Sequence, residues 1–291
     1  MIRRVAISLA LTALSLAPKF CLAQIEDSHR TGGFLLGVQA WTFNNYSVME
    51  AVAKAAAAGS KNIECFPGQA LGSEFPGVSV GPDMSPAATE AFRAQLKKYG
   101  VNVVAYGVTG IDKNEEGARK LFSWAKSLGI GILNTESVDA LDTIEKMVKE
   151  FDIKVGFHDH PKTSNPNYRM WDPHYIYDLV KNRDKRIGSC ADTGHWVRSG
   201  IKPVDALKIL HGRVVACHLK DLNEFAPGGH DVPFGTGVSD VKGILDELHR
   251  EGYRGTLSIE YEYNWTTSLP EVAQCIGFVR GYCLGRNFSK D

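Results

Sequence analysis

Short β-rich runs alternate with amphipathic helical runs eight times along this chain, and this alternation constrains the fold more than any other feature. The strand candidates occupy residues 35–41, 61–66, 101–107, 130–136, 154–159, 186–192, 213–219 and 256–262. They are too apolar to be half exposed, which is typical of parallel strands covered on both faces. Eight strand–helix units in about 260 residues predict an α/β fold, a single closed (β/α)8 TIM barrel, with a doubly wound open sheet as the alternative.

Helix candidates fill the segments between the strands, near residues 48–58, 86–99, 113–128, 138–151, 173–183, 203–211, 239–251 and 269–284. Ser47 and Glu50 have the spacing of a capping box at the start of the first helix. A left-handed stop before the next strand is expected at four glycines, Gly59, Gly100, Gly129 and Gly252. The long irregular stretches 67–85, 160–172 and 220–238 all follow strands, so they belong to the face on which barrel active sites are built.

The N-terminus has the pattern of an export signal. Arg3 and Arg4 precede the apolar run VAISLALTALSLA, and CLA stands before Gln24. This run is shorter than the roughly 20 residues that span a membrane, and no later segment approaches that length. We therefore expect a signal peptide over 1–23, an N-terminal extension over 24–33 and the barrel over 34–291. The mature protein is expected in the periplasm or outside the cell, without a membrane span.

The charge balance bears on the class of partner. The chain has 33 basic and 33 acidic residues and a formal net charge of zero. It therefore lacks the basic surplus that drives counterion release from nucleic acid or attachment to anionic lipid. A small neutral ligand fits this balance better than a nucleic acid.

Polar side chains concentrate at the carboxyl ends of the predicted strands, which a barrel gathers into one ring. They are Trp41, Glu64, Tyr106, Glu136, His158, His160, Asp192, His195, His218, Lys220, Glu260 and Glu262. Any one of them alone could be a hydrogen-bonded core or rim residue. Four of them arrive from four consecutive strands at equivalent positions, namely His158, Asp192, His218 and Glu260. Imidazole and carboxylate groups that converge in this way suit one divalent ion such as Mn, Co, Zn or Mg.

Several segments resemble the xylose isomerase-like barrels, which include sugar isomerases, 3-epimerases and the inositol-pathway dehydratase. The resemblance covers about residues 34–284, and its most specific segments are ADTGHW (191–196), CHLKD (217–221), HDVPFGTG (230–237) and GYRGTLSIEYE (252–262). It implies that Asp192, His218 and Glu260 bind the metal. It also implies that His195 contacts the substrate and that Lys220 faces the same pocket.

The segment FHDH departs from the family pattern. Similar enzymes often carry a Glu here, in a segment like LENH, as the fourth ligand and as one of two acid–base carboxylates. In this chain His158 stands where that Glu would be, and His160 matches the family His. An imidazole can replace the carboxylate as a ligand but has a different charge and basicity, so the two-Glu proton shuttle is not carried over.

The predicted chemistry is enolisation. A divalent ion on a carbonyl oxygen and its neighbouring hydroxyl would acidify the α-proton and stabilise an enediolate. The candidate bases are His160, His195 and Glu260, with Glu136 and Lys220 as second choices. Substrate contacts are expected from Trp41, Glu64, Tyr106, Trp196 and Glu262. Return of the proton gives an isomerase or epimerase, and loss of a β-oxygen gives a lyase or hydratase; the sequence leaves both open.

The expected location narrows the substrate class. Phosphorylated sugars are mostly cytoplasmic, so an exported enzyme is expected to act on an unphosphorylated keto-sugar or keto-glycoside. The loop PFGTG could bind phosphate through its amides, but a plain turn before the helix is the expectation. Two further functions are less favoured. The lack of a basic stripe opposes a metal-dependent phosphodiesterase or endonuclease, and the four apparent ligands oppose a non-catalytic sugar-binding barrel. Since dimers are common among similar barrels, a homodimer is also an expectation.

Overall fold

The computed structural model describes residues 25–288, and the predicted signal peptide lies outside this range. Eight parallel strands close into a barrel in chain order. They are β1 (Leu35–Gln39), β2 (Asn62–Cys65), β3 (Asn102–Tyr106), β4 (Ile132–Thr135), β5 (Lys154–His158), β6 (Ile187–Asp192), β7 (Val214–Leu219) and β8 (Thr256–Ile259). The predicted closed (β/α)8 barrel is therefore confirmed, and the open sheet is excluded.

Nine α-helices lie within the described range. They are α1 (Val48–Ala57), α2 (Pro86–Tyr99), α3 (Glu115–Ser127), α4 (Leu141–Phe151), α5 (Pro173–Val180), α6 (Thr193–Arg198), α7 (Pro203–Ile209), α8 (Val241–Arg250) and α9 (Leu269–Gly285). Eight of them match predicted helices. Seven of these lie within the predicted bounds, and the last, α9, ends one residue later than predicted. The helix α6 was not predicted. No helix within residues 25–288 is both long and apolar enough to cross a bilayer.

The local signals in the sequence act as expected at the helix ends. Ser47 and Glu50 form the capping box of α1, in which each side chain accepts a hydrogen bond from the backbone of the other residue. Gly100 ends α2 in the left-handed conformation, with φ at 62°. The same positive φ occurs at the other three predicted stops, Gly59, Gly129 and Gly252. These ends set the short turns on the face opposite the site.

Most of the apolar core lies between the strands and the surrounding helices, where α1 to α9 bury one side against the sheet. A smaller cluster joins side chains of β1, β3, β4, β6 and β7, including Leu35, Val104, Ile132, Cys190 and Ala216. Since several of these strands are not neighbours in the sheet, their side chains can meet only inside the barrel. The interior is therefore filled rather than hollow, and the polar strand ends lie at one end of it.

Candidate active site

The four predicted metal ligands lie together at the carboxyl ends of β5 to β8. His158 ends β5, Asp192 ends β6, His218 lies near the end of β7, and Glu260 follows β8. Their ligand atoms all lie within 4.8 Å of one another, and all four residues are buried. Nε2 of His158 is 3.6 Å from Oδ2 of Asp192, and Nδ1 of His218 is 3.2 Å from Oε2 of Glu260.

The two histidines of this cluster, His158 and His218, carry nitrogens without hydrogen-bond partners. Within residues 25–288, both ring nitrogens of His158 and Nδ1 of His218 have none. A buried polar atom left unpaired costs about 1–3 kcal/mol, so such atoms call for a physical reason. Two imidazole nitrogens and two carboxylates that face one another are a donor set that divalent ions prefer, and the four residues therefore fit the predicted ion.

The protonation of His158 sets a condition on binding. Burial opposes its charged form, but Asp192 and Glu136 raise the pKa of His158 to about 9. A metal ligand must be a neutral imidazole, so an ion binding here would displace a proton at neutral pH. The affinity for the ion is therefore expected to rise with pH up to that pKa.

Glu64 occupies a different place from the predicted one. It is fully buried and accepts hydrogen bonds from Nε2 of His218 at 3.0 Å, from Asn134 at 2.7 Å and from Ser258 at 2.8 Å. It does not line the cavity described below. The expectation that Glu64 contacts substrate is corrected by this placement. Because the carboxylate holds Nε2, it orients Nδ1 of His218 toward the ligand cluster, as outer carboxylates commonly do behind metal-binding histidines.

We expect Glu64→Gln to lower the affinity for the ion about 10–100-fold, because a Gln amide no longer holds His218 with a charged acceptor. The measurement is a titration of the metal-free protein with Mn²⁺ or Zn²⁺. Ser258→Ala is the matched control, since it removes a bond to the other oxygen of Glu64 and leaves the His218 contact in place. Equal affinities for the wild type and the Glu64 variant would contradict this role.

Lys220 is fully buried among the carboxylates of the site. Its Nζ lies 2.6 Å from Oδ2 of Asp192, 2.6 Å from Oε2 of Glu260 and 3.0 Å from Oε2 of Glu262. Burial opposes the charge, but these three carboxylates raise the pKa of Lys220 well above its ordinary value. The side chain is therefore an ammonium that shares its acceptors with the predicted ion.

The glycine of the ADTGHW segment makes room for that lysine. A Cβ added at Gly194 would lie 2.6 Å from Cδ and 2.8 Å from Cβ of Lys220, closer than non-bonded carbons approach. The stem of Lys220 therefore crosses directly over the first turn of α6. This contact gives a steric reason for a glycine at this position of the motif.

Two neighbouring side chains of the helix α6 point in different directions. Asp192 is its N-cap, and Oδ1 of Asp192 accepts a hydrogen bond from the backbone N–H of His195 at 2.8 Å. His195 lines the cavity, whereas the next residue, Trp196, is 1% exposed and packs in the core. Successive residues of a helix point about 100° apart, which explains the difference. The prediction that Trp196 contacts the substrate is therefore corrected, because Trp196 does not line the cavity.

His195 is held as a neutral imidazole. Burial lowers the pKa of His195 well below its ordinary value. Arg198 donates a hydrogen bond to its Nδ1 at 3.2 Å, so the ring hydrogen is on Nε2, which lies 3.6 Å from Oδ2 of Asp192. His195 thus presents an N–H donor beside the ligand cluster. Arg198 also binds Glu262 at 2.9 Å, and sequence analysis did not single it out.

His160, which follows β5, and Glu136, which follows β4, form a hydrogen-bonded acid–base pair. Nδ1 of His160 is 2.5 Å from Oε1 of Glu136, and the hydroxyl of Tyr168 donates to the same oxygen at 2.9 Å. Burial disfavours the carboxylate, but His158, His160 and Tyr168 together lower the pKa of Glu136 to about 2. An ionised Glu136 accepts the Nδ1 hydrogen of His160, which leaves Nε2 of His160 as the basic nitrogen. Tyr168 was missed because it lies in a loop without periodicity.

These groups share a cavity of about 700 Å³ at the mouth of the barrel. It is lined by Gln39, Trp41, Phe66, Pro67, Gly107, Val108, Thr109, Gly110, Glu136, Ser137, Asp139, His158, His160, His195, Glu260 and Glu262. Four carboxylates and no Lys or Arg are among these described lining residues. Trp41 is 40% exposed and packs edge-on against Phe66, with ring centroids 5.0 Å apart. This wall offers an exposed aromatic face at the mouth of the cavity.

Tyr106 is also placed differently from the prediction. It is 1% exposed, does not line this cavity, and its hydroxyl donates to the carbonyl of Val80 at 3.2 Å. The strand β3 ends at Tyr106, so its side chain turns toward the loop 67–85 and lines a neighbouring cavity. Its predicted substrate contact in the main cavity is therefore corrected.

The glycine loop after β7 uses its amides internally. The carboxylate of Asp221 accepts hydrogen bonds from the backbone of Gly235 at 2.8 Å, Gly237 at 3.0 Å and Ser239 at 3.0 Å. These amides are thus not free to bind a phosphate. The loop is therefore a turn before α8, as predicted, and these hydrogen bonds hold it against Asp221, the last residue of the CHLKD segment.

Comparison with known proteins agrees with this geometry. The family described as xylose isomerase-like TIM barrel matches residues 52–278. The chain belongs to this family. Its predicted resemblance is therefore confirmed.

Two curated relatives and one solved structure illustrate the family. Inosose dehydratase of Clostridium tetani is 29% identical over 145 residues, which are 42% of this chain and 45% of that protein. The Escherichia coli protein SgbU, whose name proposes L-ribulose-5-phosphate 3-epimerase activity, is 42% identical over 84 residues, 28% of each chain. The chain thus spans less than half the length of these two relatives. A solved structure of an uncharacterised Parabacteroides distasonis protein is 31% identical and has a TM-score of 0.69, covering 86% of this chain and 99% of that one.

Proposed function

We propose that this protein is a divalent-metal-dependent sugar isomerase or epimerase that acts on an unphosphorylated keto-sugar or keto-glycoside outside the cytoplasm. One observation carries the proposal. Two buried imidazoles with unpaired nitrogens, His158 and His218, face Asp192 and Glu260 within 4.8 Å at the base of a cavity of carbohydrate size. A divalent ion there would acidify the proton next to a carbonyl and stabilise the resulting negative charge.

The proton transfers are assigned to residues on both sides of the cavity. The closed strand order places β4 opposite β8, so the Glu136–His160 pair and the residues after β8 approach the substrate from different sides. Nε2 of His160 accepts the proton, because Glu136 holds the other ring nitrogen. Glu260 and Glu262 are the carboxylates on the opposite side, and His195 donates its Nε2 hydrogen to a substrate oxygen. An epimerase needs groups on both faces of the planar intermediate, and we assign the Glu136–His160 pair to one face and Glu260 and Glu262 to the other.

The electrostatics of the cavity support a neutral substrate. Glu136, Asp139, Glu260 and Glu262 line it, and its described lining residues include no Lys or Arg that could bind a phosphate. The substrate in the name of SgbU carries a phosphate, and none of the described residues that line this cavity supplies a Lys or Arg side chain to bind such a group. The predicted export signal at residues 1–23 favours the same substrate class, since sugar phosphates are mostly cytoplasmic.

A lyase or hydratase is the second candidate, acting on a 3-keto-sugar or keto-glycoside by the same enolisation. The dehydratase among the relatives favours it. In this reaction His160 takes the proton, the bond to the β-oxygen breaks, and the departing oxygen receives the proton from His160 while the neutral N–H of His195 donates a hydrogen bond to it. The lack of basic lining residues in the described cavity speaks against a phosphodiesterase.

Incubation with candidate 3-keto-sugars in deuterated water tests the proposal. We expect one substrate to take up deuterium at the carbon next to its carbonyl, and proton NMR of the product will separate an epimer from an eliminated or hydrated sugar. Treatment with a chelator is expected to stop the exchange, and added Mn²⁺ or Zn²⁺ is expected to restore it. Elemental analysis that finds no stoichiometric divalent ion, or exchange that survives the chelator, would count against the metal.

A further inference from the structure

A second cavity of about 540 Å³ opens beside the main one. It lies between the loop 67–85 and the segment after β3, and its lining includes Tyr106, Asp83 and Asp112. The two cavities share three rim residues, Pro67, Thr109 and Gly110. The two cavities are therefore neighbours, and the boundary formed by these three shared residues is called the passage.

The wall of the second cavity is rich in hydrogen-bond acceptors. Asp83 forms an ion pair with Lys120, and Oδ1 of Asp112 accepts a hydrogen bond from the backbone N–H of Asn114. The second oxygen of each carboxylate accepts no hydrogen bond within residues 25–288. No Lys or Arg is among the described residues that line this cavity. Such a wall suits a neutral group with many hydroxyl donors and disfavours an anion.

The passage leads away from the ligand cluster. His158, Asp192, His218 and Glu260 come from β5 to β8, whereas the shared rim residues follow β2 and β3. A substrate whose reacting ring lies at the cluster can therefore extend a second unit through the passage. The Trp41–Phe66 pair stands next to Pro67, so an aromatic face flanks the route.

We propose that the second cavity is a subsite for a second sugar ring, and that the preferred substrate is a two-ring keto-glycoside rather than a free keto-monosaccharide. This inference rests on the proposed function for its reaction, but it can be tested by binding alone.

Gly110 offers a site for a blocking variant. A Cβ there would meet no atom within 4 Å, and the residue has no positive φ, so Gly110→Phe adds bulk to the passage without a built-in clash. Gly228→Phe is the matched control. It is an exposed glycine in the loop after β7, where an added Cβ meets only Oε1 of Glu224, at 3.7 Å, and it lines neither cavity.

The experiment measures dissociation constants of methyl 3-keto-glucoside and 3-keto-maltose by calorimetry, with turnover of both followed by NMR. We expect the wild type and the Gly228 variant to bind the two-ring probe at least about tenfold more tightly than the one-ring probe. In Gly110→Phe the ratio of the two dissociation constants should fall to about one.

Equal binding of the two probes by the wild type, or a preference that survives Gly110→Phe, would overturn the subsite. If the binding preference is lost as expected but neither probe is turned over, the subsite stands and the proposed reaction is wrong. Failure of the inference and failure of the proposed function are therefore separate outcomes.

Discussion

Glu260→Gln is expected to remove the divalent ion and to lower turnover by at least about 1,000-fold, since metal assistance contributes several kcal/mol to reactions of this kind. Oε2 of Glu260 lies 3.2 Å from Nδ1 of His218 and 2.6 Å from Nζ of Lys220. The substitution keeps the size of the side chain but removes the negative charge from the cluster. Elemental analysis and initial rates on the substrate found by deuterium exchange give the two measurements.

Glu262→Gln is the matched control for this prediction. Glu262 also contacts Lys220, at 3.0 Å, but its carboxylate is not in the four-residue ligand cluster. We expect this variant to retain its ion, whatever happens to the rate, because only Glu260 faces the imidazoles. Loss of metal from both variants, or from neither, would contradict the assignment of Glu260 as a ligand.

Lys220→Met is expected to destabilise the metal-free protein by about 3 kcal/mol or more, because removing one partner of a buried ion pair leaves uncompensated charge. Asp192, Glu260 and Glu262 would lose their shared ammonium at once. For a domain of this size the loss corresponds to a fall in Tm of roughly 10 °C. Thermal melts in the presence of a chelator measure it.

A divalent ion should reverse most of this loss, because it would neutralise the same carboxylate oxygens. We therefore expect Mn²⁺ to raise the Tm of Lys220→Met more than that of the wild type. Lys242→Met, at an exposed position of α8, serves as the control and should melt close to the wild type in both conditions. A Lys220 variant as stable as the wild type in chelator would refute the role of the ammonium as internal counter-ion.

The fold could be predicted from the sequence because the patterns that mark its strands and helices are local. Each strand is an apolar run and most helices carry a cap or a glycine stop, so their number and order follow from the chain, and eight alternating units close into a barrel. Six of the eight strands end one to three residues earlier than predicted, as β1 does before Trp41, which lies in a 3₁₀ turn. The helix α6 was missed because six residues are too few for a helical period to be seen.

The candidate site was predictable only to the level of strand ends. Convergence of His158, Asp192, His218 and Glu260 follows from their equivalent positions on neighbouring strands. The hydrogen bond between Glu64 and His218 joins residues 154 positions apart, so it could not be predicted from spacing in the sequence. The inward turn of Trp196 follows from the helix α6, which the sequence did not predict.

The division of the barrel into two halves has a practical consequence. The strands β5 to β8 supply the ligand cluster, whereas loops after β1 to β3 shape the aromatic wall and the passage. Diversity introduced only at residues 67–85 and 108–112 should therefore alter which glycosides are accepted while metal content stays constant. Directed evolution toward new sugars can begin from a library confined to these two loops, and metal retention provides a screen for variants that still fold.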